Sequence, residues 1–119
     1  MNDEKQLSVN AFVVPVTPFQ QNCSIIWCTE TKKGAVIDPG GDIEEILNAT
    51  KKYEISIEKI LITHAHLDHA GATAELSRIL DVHIEGPHKD DLFLIESLEE
   101  QGKKYNFSPA ESFKTSRFL

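Results

Sequence analysis

The feature that most constrains this chain is the run Thr63-His64-Ala65-His66-Leu67-Asp68-His69-Ala70-Gly71, which packs three of the five histidines and a carboxylate into six residues. The apolar segment Ile57–Thr63 before it reads as a buried strand, and Ala70–Leu80 after it reads as a helix with Leu76, Ile79 and Leu80 as its apolar stripe. The cluster therefore falls where a strand ends and a helix begins. His64 and His66 stand two apart, so an extended backbone turns both imidazoles to one side, where they can share a metal ion. Asp68 and His69 follow as the chain bends into the helix, and their side chains can diverge toward a neighbouring position. Two adjacent ions suit that spacing better than one closed tetrahedral site. Imidazole with carboxylate is a ligand set for zinc, iron or manganese, and the lack of a nearby thiolate argues against a structural Cys-rich site. His83, which alternates with Val82 and Ile84, is expected to face away from the core, and His88 stands at a helix start; neither is given a functional role.

The rest of the chain reads as alternating strands and helices. Phe12–Val16, with Pro15 marking an edge or bulge, Cys23–Thr29 and Gly34–Asp38 read as three short strands of an antiparallel meander. After Pro39-Gly40-Gly41, Asp42 is placed to cap a helix, with Glu45 completing a capping box and Ile43, Ile46 and Leu47 at helical spacing. Val82–Glu85 reads as a short strand ended by Gly86-Pro87, and His88 to about Glu100 as a further amphipathic helix with Gly102 as its stop. Lys103–Leu119 reads as irregular. Strands alternating with helices on one side predict a layered α/β architecture.

Composition narrows the function classes. With 12 Lys+Arg against 19 Asp+Glu the formal charge is −7, which disfavours a nucleic-acid partner, since phosphate contacts need clustered basic residues. No apolar run approaches the ~18 residues of a membrane span, and Met1–Ser8 is polar without the apolar stretch of a secretory signal. A cytoplasmic protein is expected, with 119 residues allowing one domain. Cys23 and Cys28, five apart in CSIIWC, point to opposite faces of a strand and are expected to be reduced thiols.

The pattern H-x-H-x-D-H closing a strand resembles the metallo-β-lactamase superfamily. The runs PVTPFQQNCSIIWC, IDPGGD and LITHAHLDHAGA together look like its glyoxalase II-like branch, the hydroxyacylglutathione hydrolases, and the resemblance extends from about Val14 to Leu119. It implies an α+β fold: the N-terminal half of an αββα sandwich, one mainly antiparallel mixed sheet with helices on one face. It implies that His64 and His66 bind the first metal and that Asp68 and His69 bind the second. Asp68 would also orient the attacking hydroxide and accept its proton. Asp38 matches a supporting position beside the site, although a plain turn residue before Pro39 reads equally well. Gly40, Gly41 and Gly71 would allow close backbone approach around the metal loop. The implied cofactor is Zn2+, two per complete site, with iron or manganese as alternatives. The implied reaction is hydrolysis of a small-molecule glutathione thioester by metal-bound hydroxide. Alternatives are a persulfide dioxygenase or another hydrolase of this fold, and, from a different class, a non-catalytic metal-binding or interaction module. Family members continue for roughly another hundred residues, with a further metal histidine, a bridging Asp and a last histidine. Residues 1–119 are therefore expected to form a single unit, the first half of such a domain without its C-terminal half, inactive or weak alone. Its exposed half-sheet would then favour homo-oligomers.

Overall fold

In a computed structural model that describes residues 9–16, 21–105 and 110–119, all five predicted strands join one mixed sheet in the order β1-β2-β3-β4-β5. The polar lead, positions 17–20 of the PVTPFQQNC run and positions 106–109 lie outside the described residues. Strands β1 (Val9–Val16), β2 (Gln21–Cys28) and β3 (Lys33–Ile37) form the antiparallel meander. Strands β4 (Ser56–Leu61) and β5 (His83–Glu85) add in parallel, each after a helical crossover. Pro15 lies on β1, at the edge of the sheet, where a missing N–H is tolerated.

Alternation along the strands decides the core. Val14, Cys23, Ile25, Trp27, Val36, Ile60, Ile62 and Ile84 are buried and share a cluster with Ile46 and Ala49 of α1 (Ile43–Lys52) and Leu76 of α3 (Thr73–Leu80). Ile95 of α4 (Leu92–Glu96) and Leu98 of α5 (Leu98–Lys104) close it. The opposite face presents Val9 and Val13, 70% and 48% exposed, with half-buried Ile26, Ile37 and Leu61. The fold is thus α+β, a five-stranded mixed sheet with helices, as expected.

Three local predictions are corrected. Asp42 makes no side-chain capping bond to α1; it adopts a left-handed backbone (φ 51°), and its carbonyl accepts from the N–H of Glu45 and Ile46. The single helix expected over Ala70–Leu80 is split into α2 (Leu67–Ala70) and α3, because the Ala72 N–H leaves the helical ladder to donate to the Pro39 carbonyl at 3.0 Å. The helix expected from His88 to Glu100 is a 3-10 turn (Lys89–Asp91) followed by α4 and α5, and Gly102 lies buried inside α5 rather than ending it.

Glycine sets two close approaches beside the histidine turn. A Cβ on Gly71 would stand 2.7 Å from the Gly40 carbonyl oxygen and 2.8 Å from that of Leu67, so only glycine lets the 39–41 turn pack onto α2. At Gly86, φ is +84°, and a Cβ would clash with the Ile62 carbonyl oxygen. The first contact seats the β3–α1 turn on α2, and the second seats the segment after β5 on the end of β4.

Candidate metal centre

In a parallel arrangement, ligands gather beyond the carboxyl ends of the strands, and here β3 and β4 end side by side. The Asp38 N–H donates to the Leu61 carbonyl at 2.9 Å, carrying the β3/β4 pairing one step past the strand. On the other side, the Ile62 N–H donates to the Glu85 carbonyl at 2.9 Å. Thr63 and His64 therefore leave the sheet between two fixed neighbours.

Asp38 is buried, with φ 57°, a left-handed conformation that costs a non-glycine residue about 1–3 kcal/mol unless its surroundings hold it. Thr63 holds it. The Thr63 N–H donates to Asp38 Oδ1 at 2.8 Å, and the Thr63 hydroxyl donates to Asp38 Oδ2 at 2.6 Å. His69 Nδ1 lies 3.2 Å from the same Oδ2. His64 Nδ1 lies 3.1 Å from the Thr63 hydroxyl oxygen. Thr63 has given its one hydroxyl proton to Asp38, so at His64 it acts as an acceptor. A carboxylate likewise only accepts. Both contacts therefore put the ring proton on Nδ1 and the lone pair on Nε2, in His64 and His69 alike.

The two rings lie with centroids 3.8 Å apart, and donor atoms of Asp38, His64 and His69 all fall within 4.8 Å of one another. This is the one such cluster of potential ligands among the described residues. Helix α2 brings His69 back: His66 precedes its first residue with an extended backbone, and its carbonyl accepts from the N–H of both His69 and Ala70. His66 itself is exposed, its ring 5.1 Å from that of His64 and edge-on to it. The His64 and His66 rings thus lie farther apart than those of His64 and His69. Asp68 lies on α2, and its side chain is outside the described residues. Two imidazoles beside a buried carboxylate are a donor set that fits a divalent transition metal.

Two contributors were missed in the sequence. Thr63 was read only as the end of a strand, although a hydroxyl next to the first histidine was a usable signal. Asp91 accepts from the Ala65 N–H at 3.2 Å, across 26 residues, and carried no local signal. The remaining histidines are engaged elsewhere. His83 Nε2 lies 2.9 Å from Glu85 Oε2, and His88 Nδ1 accepts from the Asp90 N–H. Both cysteines are free thiols. Cys23 is fully buried, and burial, reinforced by the charge of the Asp38 carboxylate, pushes its pKa up to about 12. Cys28 is pulled below its ordinary value by the Thr31 hydroxyl and by the backbone N–H groups of Thr31 and Glu30.

Fold and site together describe an α+β protein with divalent-metal donors at the carboxyl ends of neighbouring parallel strands. The family model described as the metallo-beta-lactamase superfamily matches residues 16–118, and the chain belongs to that superfamily. It is 40% identical over 111 residues to the hydroxyacylglutathione hydrolase GloC of Haemophilus influenzae, covering 93% of this chain and 52% of that protein. A hydroxyacylglutathione hydrolase of Vibrio campbellii is 35% identical over 86 residues, which are 70% of this chain and 34% of that one. Among solved structures, TTHA1623 in a di-iron-bound form superimposes with a TM-score of 0.78 at 28% identity, over 91% of this chain and 54% of its own. The B3 metallo-beta-lactamase BLEG-1 gives the same TM-score at 24% identity, over 92% and 53%, and shares the fold. The chain spans about half the length of the Haemophilus relative and about a third of the Vibrio one.

Proposed function

We propose that this chain carries the metal-binding turn of a glyoxalase II-like thioester hydrolase, with His64, His66, Asp68 and His69 as ligands and Asp38 as the group that orients them. The observation that carries the reading is the pair of imidazoles, His64 and His69, whose Nδ1 atoms are both tied back to the Asp38–Thr63 unit. Holding the second nitrogen of a metal-binding histidine is how proteins fix its tautomer and aim its lone pair. Both Asp38 oxygens accept bonds from Thr63, and Oδ2 also faces His69, contacts that support an orienting role for Asp38.

A divalent ion in this turn supplies Lewis acidity at neutral pH, lowering the pKa of water and polarising a carbonyl. The protein's part is to hold the imidazole protons at Nδ1 and to provide Asp68 as the carboxylate that receives a proton from the attacking water. A thiolate is a good leaving group, so no further general acid is called for. The 40% identity to a hydroxyacylglutathione hydrolase supports a glutathione thioester as substrate. The likeness to a di-iron protein at 28% identity makes iron a second metal to load beside zinc. No described helix is long and apolar enough to cross a membrane, and two free thiols suit the cytoplasm, where we place the protein. Catalytic zinc usually has three protein ligands and water, so turnover by this chain alone is expected to be weak.

The test is hydrolysis of S-lactoylglutathione by the 119-residue chain loaded with zinc or ferrous iron, alongside metal titration of the chain. Metal binding that His64→Ala and His69→Ala each abolish, with thioester turnover above the metal alone, supports the reading. Metal binding untouched by those substitutions overturns it.

A further inference from the structure

The loop between β4 and α2 is held by carboxylates from two directions, and only Asp38 belongs to the site as built so far. The second is Asp91. It closes the 3-10 turn at Lys89–Asp91 and immediately precedes α4, where an aspartate ordinarily caps its own helix with its side chain. Here it makes no side-chain capping bond. Its carboxylate reaches instead to the N–H of Ala65, the residue between His64 and His66. Ala65 is fully buried, so its N–H needs an acceptor, and Asp91 supplies one.

The position of Asp91 follows from its neighbours. Gly86, with φ +84° and no Cβ, packs against the Ile62 carbonyl and turns the chain after β5 back over the end of β4. The His88 carbonyl accepts from the Asp91 N–H at 2.9 Å, while the His88 ring accepts from the Asp90 N–H at 3.1 Å. That turn is therefore closed from both its backbone and a side chain, and Asp91 sits at its end facing the histidine loop.

We propose that Asp91 is a positioning residue for the metal turn: by holding the Ala65 amide it fixes the His64–Ala65 peptide plane, and through it the path of the loop that carries both His64 and His66. The Thr63 N–H on Asp38 and the Ala65 N–H on Asp91 are two amides of the same loop, clamped at 2.8 and 3.2 Å by carboxylates that precede and follow it in the chain. The effect on metal rests on the proposed function; the clamp itself does not.

The experiment compares Asp91→Ser and Asp91→Asn with the wild-type full chain. Serine is as good a helix cap as aspartate but is too short to reach Ala65, so it spares any capping contribution. Asparagine keeps an acceptor at the same reach. Amide hydrogen exchange on the metal-free protein should show Ala65 protected in wild type and Asp91→Asn, and exchanging about tenfold faster in Asp91→Ser. Zinc titration should show a loss of about 10- to 100-fold for Asp91→Ser, largely restored by Asp91→Asn. An Asp91→Ser protein whose Ala65 amide stays protected, or whose zinc affinity is unchanged, overturns the proposal. Equal loss in both variants also overturns it, because charge rather than the held amide would then be responsible. If wild type binds no metal, the proposed function fails, and Ala65 exchange alone still decides the clamp.

Discussion

Thr63 and Asp38 hold one another by two hydrogen bonds across the ends of neighbouring parallel strands, N–H to Oδ1 at 2.8 Å and hydroxyl to Oδ2 at 2.6 Å. The second bond uses the only hydroxyl proton, and it thereby makes Thr63 an acceptor toward His64. One side chain links the supporting carboxylate to a histidine.

Thr63→Val keeps the shape and the backbone bond while removing the hydroxyl from both Asp38 and the His64 ring. Zinc affinity is expected to fall about tenfold, as when a partner of a metal-binding histidine is lost. Stability is expected to fall by about 1–3 kcal/mol, since a bond to a buried carboxylate goes. Thr63→Ser should recover most of both. Calorimetric zinc titration and urea unfolding check the three proteins together.

Asp38→Ala should be more damaging. It leaves two Thr63 donors without their acceptor and asks alanine to hold φ 57°, so we expect a loss of about 2–4 kcal/mol. Asn tolerates the left-handed backbone and keeps one acceptor oxygen. Asp38→Asn is therefore expected to be the more stable of the two variants while still binding zinc more weakly than wild type. Urea melts with zinc titration separate these effects. An Asn variant as unstable as the Ala variant would show that charge, not shape, holds this turn.

What could be read in the sequence was local. The histidine turn, the amphipathic face of α1 at Ile43, Ile46 and Leu47, and the order of the five strands each have a signature within a few residues, and the structure reproduces the strands and α1. What could not be read depends on partners far along the chain. The break between α2 and α3 arises because Ala72 donates to Pro39, 33 residues earlier. Asp42 offered a capping-box pattern, but its left-handed backbone, part of the turn that packs onto Gly71, overrode local propensity. Asp91 has no local signature, because its partner, the Ala65 N–H, lies 26 residues earlier. Resemblance puts Asp38 beside the site, while its link to His69 through an oxygen shared with Thr63 joins residues 31 apart in the chain.

Gly71→Ala tests the packing of the glycine turn on α2. The new Cβ would meet two carbonyl oxygens at 2.7 and 2.8 Å, both backbone atoms that can move only with their segments. We expect a loss of about 1–3 kcal/mol, the usual cost of overpacking. Because α2 carries His69, zinc affinity should fall as well. Thermal unfolding and zinc titration of the same sample check both. A stable variant with wild-type affinity would mean that the 39–41 turn is free to shift away from the histidines.

Cys23 gives the fold a dependence on alkaline pH. In the unfolded chain its thiol ionises near the ordinary 9.0, whereas in the fold burial first, and the Asp38 charge second, push it up to about 12. Between those values the unfolded chain gives up a proton that the folded chain retains, so unfolding gains from rising pH. The stabilisation is fully present below about pH 9 and is lost as pH climbs toward about 12. Comparing urea midpoints at about pH 8 and about pH 10.5, wild type should lose about 1–2 kcal/mol more than Cys23→Ala, in which the other alkaline groups titrate unchanged. Cys28 should behave oppositely, because the Thr31 hydroxyl and two backbone N–H groups favour its thiolate. A thiol reagent at neutral pH is expected to modify Cys28 in the native protein and to reach Cys23 only after urea unfolding. Equal native reactivity of the two thiols would contradict the burial of Cys23.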